Sequence, residues 1–345
     1  MCLQRDRVSM RHALPGIVNP QYVSSRWHKP LDPFGNRLLR AGSRAVLIAQ
    51  TLKEQVAEAR PAQLFIDRHA SGVTLKIAQH LDPAAVGTLA LEEIDDQILV
   101  IRLNRPEVSN AISTPMGQDL IKVFSALEID PTQYRCAILT GTGERAFCGG
   151  ADLKQREGMT DEQFSTQHYL FERMVRAITH CPIPLICAVN GSAVAGGLEL
   201  LLACDFAYAS KNAVFGFTEV KRGIMPGGGG TQQLPRTIGT RRSKELIFRG
   251  SKFSAEEALA WGVVNQLYEP GQVLARAIEA ARDICTSAPL SVSQAKKSID
   301  LGMQSDLNTG LYIEIEAYNR LIPTEDRLEG ISAYNEKRRP VFKGR

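Results

Sequence analysis

A single carboxylate set inside an apolar helix, directly after a buried strand and a glycine-rich turn, constrains this chain more than any other feature of its sequence. The strand reads Pro184-Leu185-Ile186-Cys187-Ala188-Val189, the turn Asn190 to Gly197, and the helix Gly196 to Ala203 with Glu199 as its one charged residue. A short apolar run bounded by glycines is a strand buried on both faces, and a helix following it after a tight turn is the repeating unit of an α/β fold. Burying an unpartnered Glu is costly, so its presence in such a run points to an acid or base whose pKa is tuned by desolvation.

The pattern recurs along the chain. Strands at Gln97–Leu103, Cys136–Leu139 and Phe206–Ala209 alternate with a helix face made by Leu120, Ile121, Val123, Phe124 and Leu127. A polar helix over Asp161–Ile178 opens with Thr160 and Gln163 at capping-box spacing. The alternation predicts an α/β class with mostly parallel pairing. Past Glu269 four helices follow one another (Ala275–Cys285, Pro289–Leu301, Leu307–Leu321, Thr324–Lys337). Their apolar face at Leu311, Ile315, Tyr318 and Leu321 needs a partner surface such as another subunit. The expected division is an N-terminal extension at 1–88, an α/β core at 89–269 and a helical region at 270–345.

A second glycine-bearing turn, Phe147-Cys148-Gly149-Gly150-Ala151-Asp152-Leu153-Lys154, follows the strand ending at Thr140. Glycines at such turns let backbone N–H groups approach a ligand, and a following helix adds its dipole. Two N–H donors aimed at one oxygen form an oxyanion hole, worth of order 3 to 4 kcal/mol per donor. The bland alternative is close packing alone. A second carboxylate, Glu219, lies in Val214 to Val220 ahead of the glycine run 227–230. Alone it reads as a surface turn; with Glu199 it supplies the pair needed to activate a water and deliver a proton to carbon.

Composition excludes several classes. The 345 residues carry 41 basic and 37 acidic side chains, net +4, too balanced to argue for nucleic acid. No apolar run reaches the ~18 to 20 residues of a membrane span. Seven cysteines without CxxC spacing fit a reducing compartment rather than a disulfide framework. The histidines His168 and His180 lack metal-ligand spacing and read as surface or packing residues, with no metal expected. Gly141 to Ala146 spells a weak dinucleotide motif, without a clear helix opening on it. The first fifty residues hold eight Arg or Lys and two Asp, compatible with a mitochondrial transit peptide; a disordered tail or initiation at Met10 are the alternatives. A helix-like stretch at Thr51–Arg60 follows.

The stretch from Asn190 to Leu234, with Gly150-Ala151-Asp152, closely resembles the crotonase, or enoyl-CoA hydratase/isomerase, superfamily, and the resemblance runs from Leu89 to Arg345. It implies a spiral of ββα repeats with a C-terminal helical trimerisation region, assembled as a homotrimer or homohexamer. It further implies that the N–H groups of Ala151 and Gly196 bind a thioester oxygen. Glu199 and Glu219 would be catalytic, and Gly150, Asp152, Leu153, Gly197 and Gly227 would contact substrate. Hydratases of this kind keep both glutamates, so the resemblance implies an enoyl-CoA hydratase, with isomerase or another CoA-thioester chemistry as the alternative. Coenzyme A would arrive as part of the substrate, with no separate cofactor, no membrane partner and a mitochondrial matrix or cytoplasmic location.

Ala195, Thr218 and Gly228–Gly230 depart from the commonest pattern without altering a charged group, which touches pocket shape more than chemistry. Within the family, Ala151 to Lys154, Ser243 to Phe248 and Asp326 to Gly330 look most like the methylglutaconyl-CoA hydratase, or AU-binding protein, branch. That branch is linked to RNA through a lysine-rich helix. The matching helix here, Gly117–Glu128, holds only Lys122, so RNA binding is not implied. A non-catalytic nucleic-acid binder using Arg241-Arg242 and Lys337-Arg338-Arg339 is the competing class, although such runs are more often solvated faces.

Overall fold

The structure is a computed structural model and describes residues 75–345. The targeting reading of residues 1–50 and the helix expected at Thr51–Arg60 lie outside the described residues. Packing begins earlier than the expected boundary at Leu89. Two short 3-10 turns, Lys76–Gln79 and Pro83–Ala85, bury Ile77, Leu81 and Val86 in the main core. The Ile77 N–H donates to Tyr134 Oη (3.1 Å), whose hydroxyl donates to Glu93 (2.9 Å).

The first strands, β1 (Leu89–Ile94) and β2 (Ile98–Leu103), form an antiparallel hairpin. Its turn places Asp95 and Asp96 at φ of 52° and 55°, left-handed values that Asp tolerates better than most residues and that match strand twist. Helix α1 (Thr114–Ile129) starts at Ser113, whose hydroxyl accepts from the Met116 N–H, and buries Leu120, Val123, Phe124 and Leu127. Then come β3 (Cys136–Gly141), β4 (Ala146–Cys148), the one-turn helix α2 (Leu153–Arg156) and α3 (Asp161–Thr179), which carries the expected capping box at Thr160 and Gln163. The next turn of chain gives β5 (Leu185–Val189), β6 (Ser192–Val194) and α4 (Gly196–Leu202). It is followed by β7 (Phe206–Ser210), β8 (Val214–Gly216), α5 (Gly230–Ile238) and α6 (Thr240–Arg249). Last in the core are β9 (Lys252–Ser254), α7 (Ala255–Ala260) and β10 (Gln266–Tyr268).

Successive strands feed two sheets in turn. A six-stranded sheet runs β1-β2-β3-β5-β7-β10, parallel apart from β1, while β4-β6-β8-β9 form a smaller sheet. From β3 to β8 each circuit therefore lays one strand in the large sheet and one in the small sheet before a helical segment, which is the expected spiral of ββα turns.

Alternation along the large sheet separates two apolar layers. Leu99, Ile101, Leu139, Cys187 and Val189 face the main core, whereas Ile98, Val100, Ile138, Ile186 and Ala188 face outward. The outward layer is covered by α8 (Val273–Cys285), which presents Val273, Ala277, Ala281 and Cys285 at four-residue spacing. The helix nearest the expected 270 boundary thus belongs to the core. Beyond it, α9 (Pro289–Gly302) is tied to the core by Lys296, which donates to Asp205 (2.8 Å) and to the Ile183 carbonyl (3.1 Å). Helix α10 (Leu307–Asn319) packs on α9, and its Leu311, Tyr312, Ile315 and Tyr318 remain exposed. Helix α11 (Glu325–Asn335) is strapped to the chain end by Asp326, which accepts from the Lys343 and Gly344 N–H groups.

Candidate active site

Two turns distant in sequence are brought together at the end of the small sheet. The loop before α1 holds the first: Gly149 N–H donates to Ser109 O (2.9 Å), Ile112 N–H to Gly150 O (2.8 Å) and Asp152 N–H to Ile112 O (2.9 Å). In this parallel bridge Ala151 lies between the bonded groups, so its own N–H points away from the ladder. Buried Asn110 fixes the loop by donating to the Ala146 and Thr142 carbonyls. The second turn ends in Gly196, whose N–H opens α4, where no intrahelical acceptor exists.

Gly150 shows how closely the turns meet. It adopts φ of 91°, and a Cβ there would stand 2.8 Å from Ala195 Cβ and 3.2 Å from Gly196 N. Ala195 itself holds φ 54° and ψ −124°, a region open mainly to glycine. Gly197 lets α4 cross β4, since a Cβ would fall 2.1 Å from the Cys148 carbonyl oxygen.

Both glutamates open onto one cavity of about 650 Å³ and are themselves 8% exposed. Glu199 projects from the first turn of α4, and its Oε1 accepts from the N–H groups of Gly228 (2.7 Å) and Gly230 (2.9 Å). Burial pushes its pKa up; the two backbone donors and the positive fields of His168 and Arg156 oppose that rise. Glu219 begins the 3-10 turn Glu219–Arg222. Burial, with the Glu199 charge adding to it, lifts Glu219 to about 7. Its Oε2 is buried without a hydrogen-bond partner among the described residues. Gly228 is needed for both its N–H and its missing side chain, because a Cβ would reach 2.8 Å from Glu199 Oε2.

The other expected contact residues separate into two groups. Ala151, Leu153, Gly196 and Gly227 line the cavity. Asp152 lies outside that lining: its carboxylate pairs with Arg105 (2.9 Å) and caps α2 by accepting from the Gln155 N–H. Gly150 and Gly197 act through backbone packing rather than as lining. The Gly141–Ala146 segment joins β3 to β4 and opens no helix, which removes the dinucleotide reading.

One wall was invisible to sequence reasoning. Phe164, His168, Phe171, Met174 and Val175 of α3 line the cavity together with Arg156 of α2. Their spacing of three to four residues marks one helix face, hidden by the polar composition of the rest of α3. His168, expected as a surface or packing residue, is exposed into this cavity, where a Cβ on Gly227 would strike its ring. Among the described residues no cluster of three or more His, Cys, Asp or Glu is arranged to hold a metal, and no helix is long and apolar enough to cross a membrane.

Residues 93–345 match the profile of a family described as Enoyl-CoA hydratase/isomerase. The chain is 44% identical over 250 residues to the putative enoyl-CoA hydratase/isomerase YngF of Bacillus subtilis, covering 72% of this chain and 96% of that protein. It is 40% identical to the mitochondrial methylglutaconyl-CoA hydratase of Homo sapiens, over 74% of this chain and 76% of the relative. The crystal structure of an enoyl-CoA hydratase from Bacillus anthracis superposes with a TM-score of 0.73 at 41% identity, over 75% of this chain and all of that one.

Proposed function

The chain belongs to the enoyl-CoA hydratase/isomerase family, whose crotonase fold it shares, and from that premise we propose that it is an enoyl-CoA hydratase. The observation that carries hydration is the pair of buried carboxylates with unequal surroundings in one cavity. Glu199, fixed by two N–H donors, is the better holder of negative charge and acts as the base. Glu219, with a bare buried oxygen and a pKa lifted to about 7, is the better holder of a proton and acts as the acid.

In the hydration direction Glu199 takes a proton from water as the water oxygen bonds to C3. The double-bond electrons move towards the thioester oxygen, which the N–H groups of Ala151 and Gly196 receive. Glu219 then gives its proton to C2, and proton exchange between the two carboxyls restores the starting state. Preorganised backbone donors stabilise such a developing oxyanion by roughly 3 to 4 kcal/mol each. Isomerisation needs only one carboxylate to carry a proton between carbons, so the second favours hydration. The steps are addition of the water oxygen to C3 and proton transfers, with no external oxidant or reductant, so the reading calls for no cofactor beyond the coenzyme A of the substrate.

The exposed apolar residues of α10 support a homotrimer or homohexamer, which sedimentation measures. Relatives named as mitochondrial in Arabidopsis thaliana and Homo sapiens, at 39% and 40% identity, support a matrix location. The deciding experiment is a panel of short, straight-chain and branched enoyl-CoA thioesters followed by loss of the conjugated enone absorbance. Consumption of crotonyl-CoA with formation of the 3-hydroxy product is expected. Double-bond migration without hydration replaces this reading by isomerase chemistry.

A further inference from the structure

The glycine run that holds Glu199 is backed by a histidine. His168 lies on the cavity-lining face of α3 and is exposed into that cavity. A Cβ on Gly227 would fall 3.2 Å from its Nε2 and 3.3 Å from its Nδ1, so the ring rests on a bare Cα one residue before the N–H that Gly228 donates to Glu199. The neighbouring side chain fixes its place. Buried Gln167 accepts from Arg156 Nε (2.8 Å) and donates to Thr114 Oγ1 (2.9 Å) and Gln155 Oε1 (3.1 Å), which locks α3 against α2 and the start of α1. Among the described residues neither ring nitrogen of His168 has a hydrogen-bond or ion-pair partner.

The charged groups around the base differ in whether they vary near neutrality. His168 and Arg156 act on Glu199 with positive fields. A guanidinium keeps its proton throughout the physiological range, whereas imidazole is the side chain that ordinarily gains and loses charge between pH 5 and 8. Of these two cations, only the histidine can change charge there. Glu219 lines the same cavity and, lifted to about 7, is protonated on the acid side of neutrality, so it brings no competing negative charge. Arg222 acts on Glu219, and Arg145 and Lys252 line the cavity from exposed positions. On α3 itself the charged residue one turn from His168 is Glu172, which is paired with Arg176 (2.7 Å).

We infer that His168 is a positioning residue for the base: as an imidazolium seated on the glycine run, it keeps the Glu199 carboxylate ionised on the acid side of neutrality. This rests on the hydratase reading, in which Glu199 must be ionised to take a proton from water, and adds the group that guards that state. The sign follows from the charges. Burial favours the neutral carboxyl of Glu199 and a nearby positive charge favours the anion; the coupling is mutual, so an ionised Glu199 also holds the proton on His168. Because Glu219 is already protonated there, the fall of hydration towards low pH reports Glu199.

The test is the pH profile of kcat/KM for crotonyl-CoA in the full-chain parent, His168→Gln and His168→Lys. Beside it, carboxyl-carbon NMR follows the same proteins labelled at glutamate Cδ, with the Glu199 signal identified by its loss in Glu199→Gln. In His168→Gln the acid limb is expected to move up by about one pH unit, so that the deficit against the parent grows about tenfold from pH 8 to the acid end of the profile. The Glu199 signal should titrate higher by the same interval. His168→Lys, which keeps a cation at the site, is expected to return both towards the parent. A deficit of equal size at every pH assigns His168 to packing against Gly227 and overturns the inference, as does an unmoved Glu199 signal or a lysine variant that behaves like the glutamine one. The NMR titration is read without turnover, so a Glu199 signal that responds to His168→Gln in a protein that hydrates nothing upholds the coupling and defeats the hydratase reading alone.

Discussion

Glu199 and Glu219 are the same residue type in the same cavity with equal exposure, and their surroundings differ in kind. Around Glu199 the main chain converges: one oxygen takes two N–H donors from the glycine run, and the side chain leaves a helix that is apolar on every other position. Around Glu219 burial dominates over its own and the Thr218 N–H groups and the Arg222 charge, which oppose the rise, and one oxygen is buried bare. Burial alone pushes any carboxyl up; what separates an acid from a base is how much hydrogen bonding is returned to it. Two identical side chains, both pushed up by burial, thereby meet unequal opposition to that rise from the surrounding backbone.

Removing either member breaks the comparison outright. Glu199→Gln or Glu219→Gln is expected to lower crotonyl-CoA hydration by about 1,000-fold or more with coenzyme A thioester binding retained, as measured by steady-state kinetics and calorimetry. Activity near the parent level in either variant ends the two-carboxylate mechanism. Erasing the converging donors is milder. Gly228→Ala drives a Cβ against Glu199 and displaces one donor, and a loss of about 100-fold in kcat is expected with the melting transition still cooperative.

Stability reads the same difference from the other side. The folded-state pKa of Glu219 lies near 7, above its ordinary 4.5, so folding is unopposed below about 4.5 and loses stability as pH rises through 7. Glu219→Gln should therefore be more stable than the parent at pH 8, by on the order of 2–3 kcal/mol, with no gap at pH 4. Urea denaturation at both values measures it, and an equal gap at the two would deny the raised pKa. In hydration the parent should lose kcat/KM as pH climbs past about 7, where Glu219 gives up the proton it must deliver. The smallest effect concerns the turn beneath Glu199. Ala195→Gly relieves a left-handed alanine and should raise stability by about 1 kcal/mol, read by thermal melting.

How much of this was legible depended on whether a residue violated its local pattern. Glu199 did, as the lone charge in an apolar run, and both glycine turns did by their density. Glu219 became legible only through its pairing with Glu199. The donors that hold Glu199 were in view as glycines, but nothing in one dimension says that a run at 227–230 folds back on a side chain thirty residues earlier. Strand β1 was hidden because Glu92 and Glu93 sit on the sheet edge, where charge is tolerated. Arg156 and the lining face of α3 were hidden for the converse reason: a helix whose exposed side is polar looks ordinary, whatever its other side encloses.

The meeting of the two turns has a consequence for how such a catalyst diversifies. In the proposed reading the thioester cradle is made of main-chain N–H groups, of which the one at Ala151 is deleted by no substitution other than proline, while the acyl wall is made of replaceable side chains on α2 and α3. Reaction type is thus inherited with the backbone, and substrate choice drifts with the wall. A combinatorial library confined to Arg156, Phe164, Phe171 and Met174 is the place to search for altered acyl groups without rebuilding the chemistry.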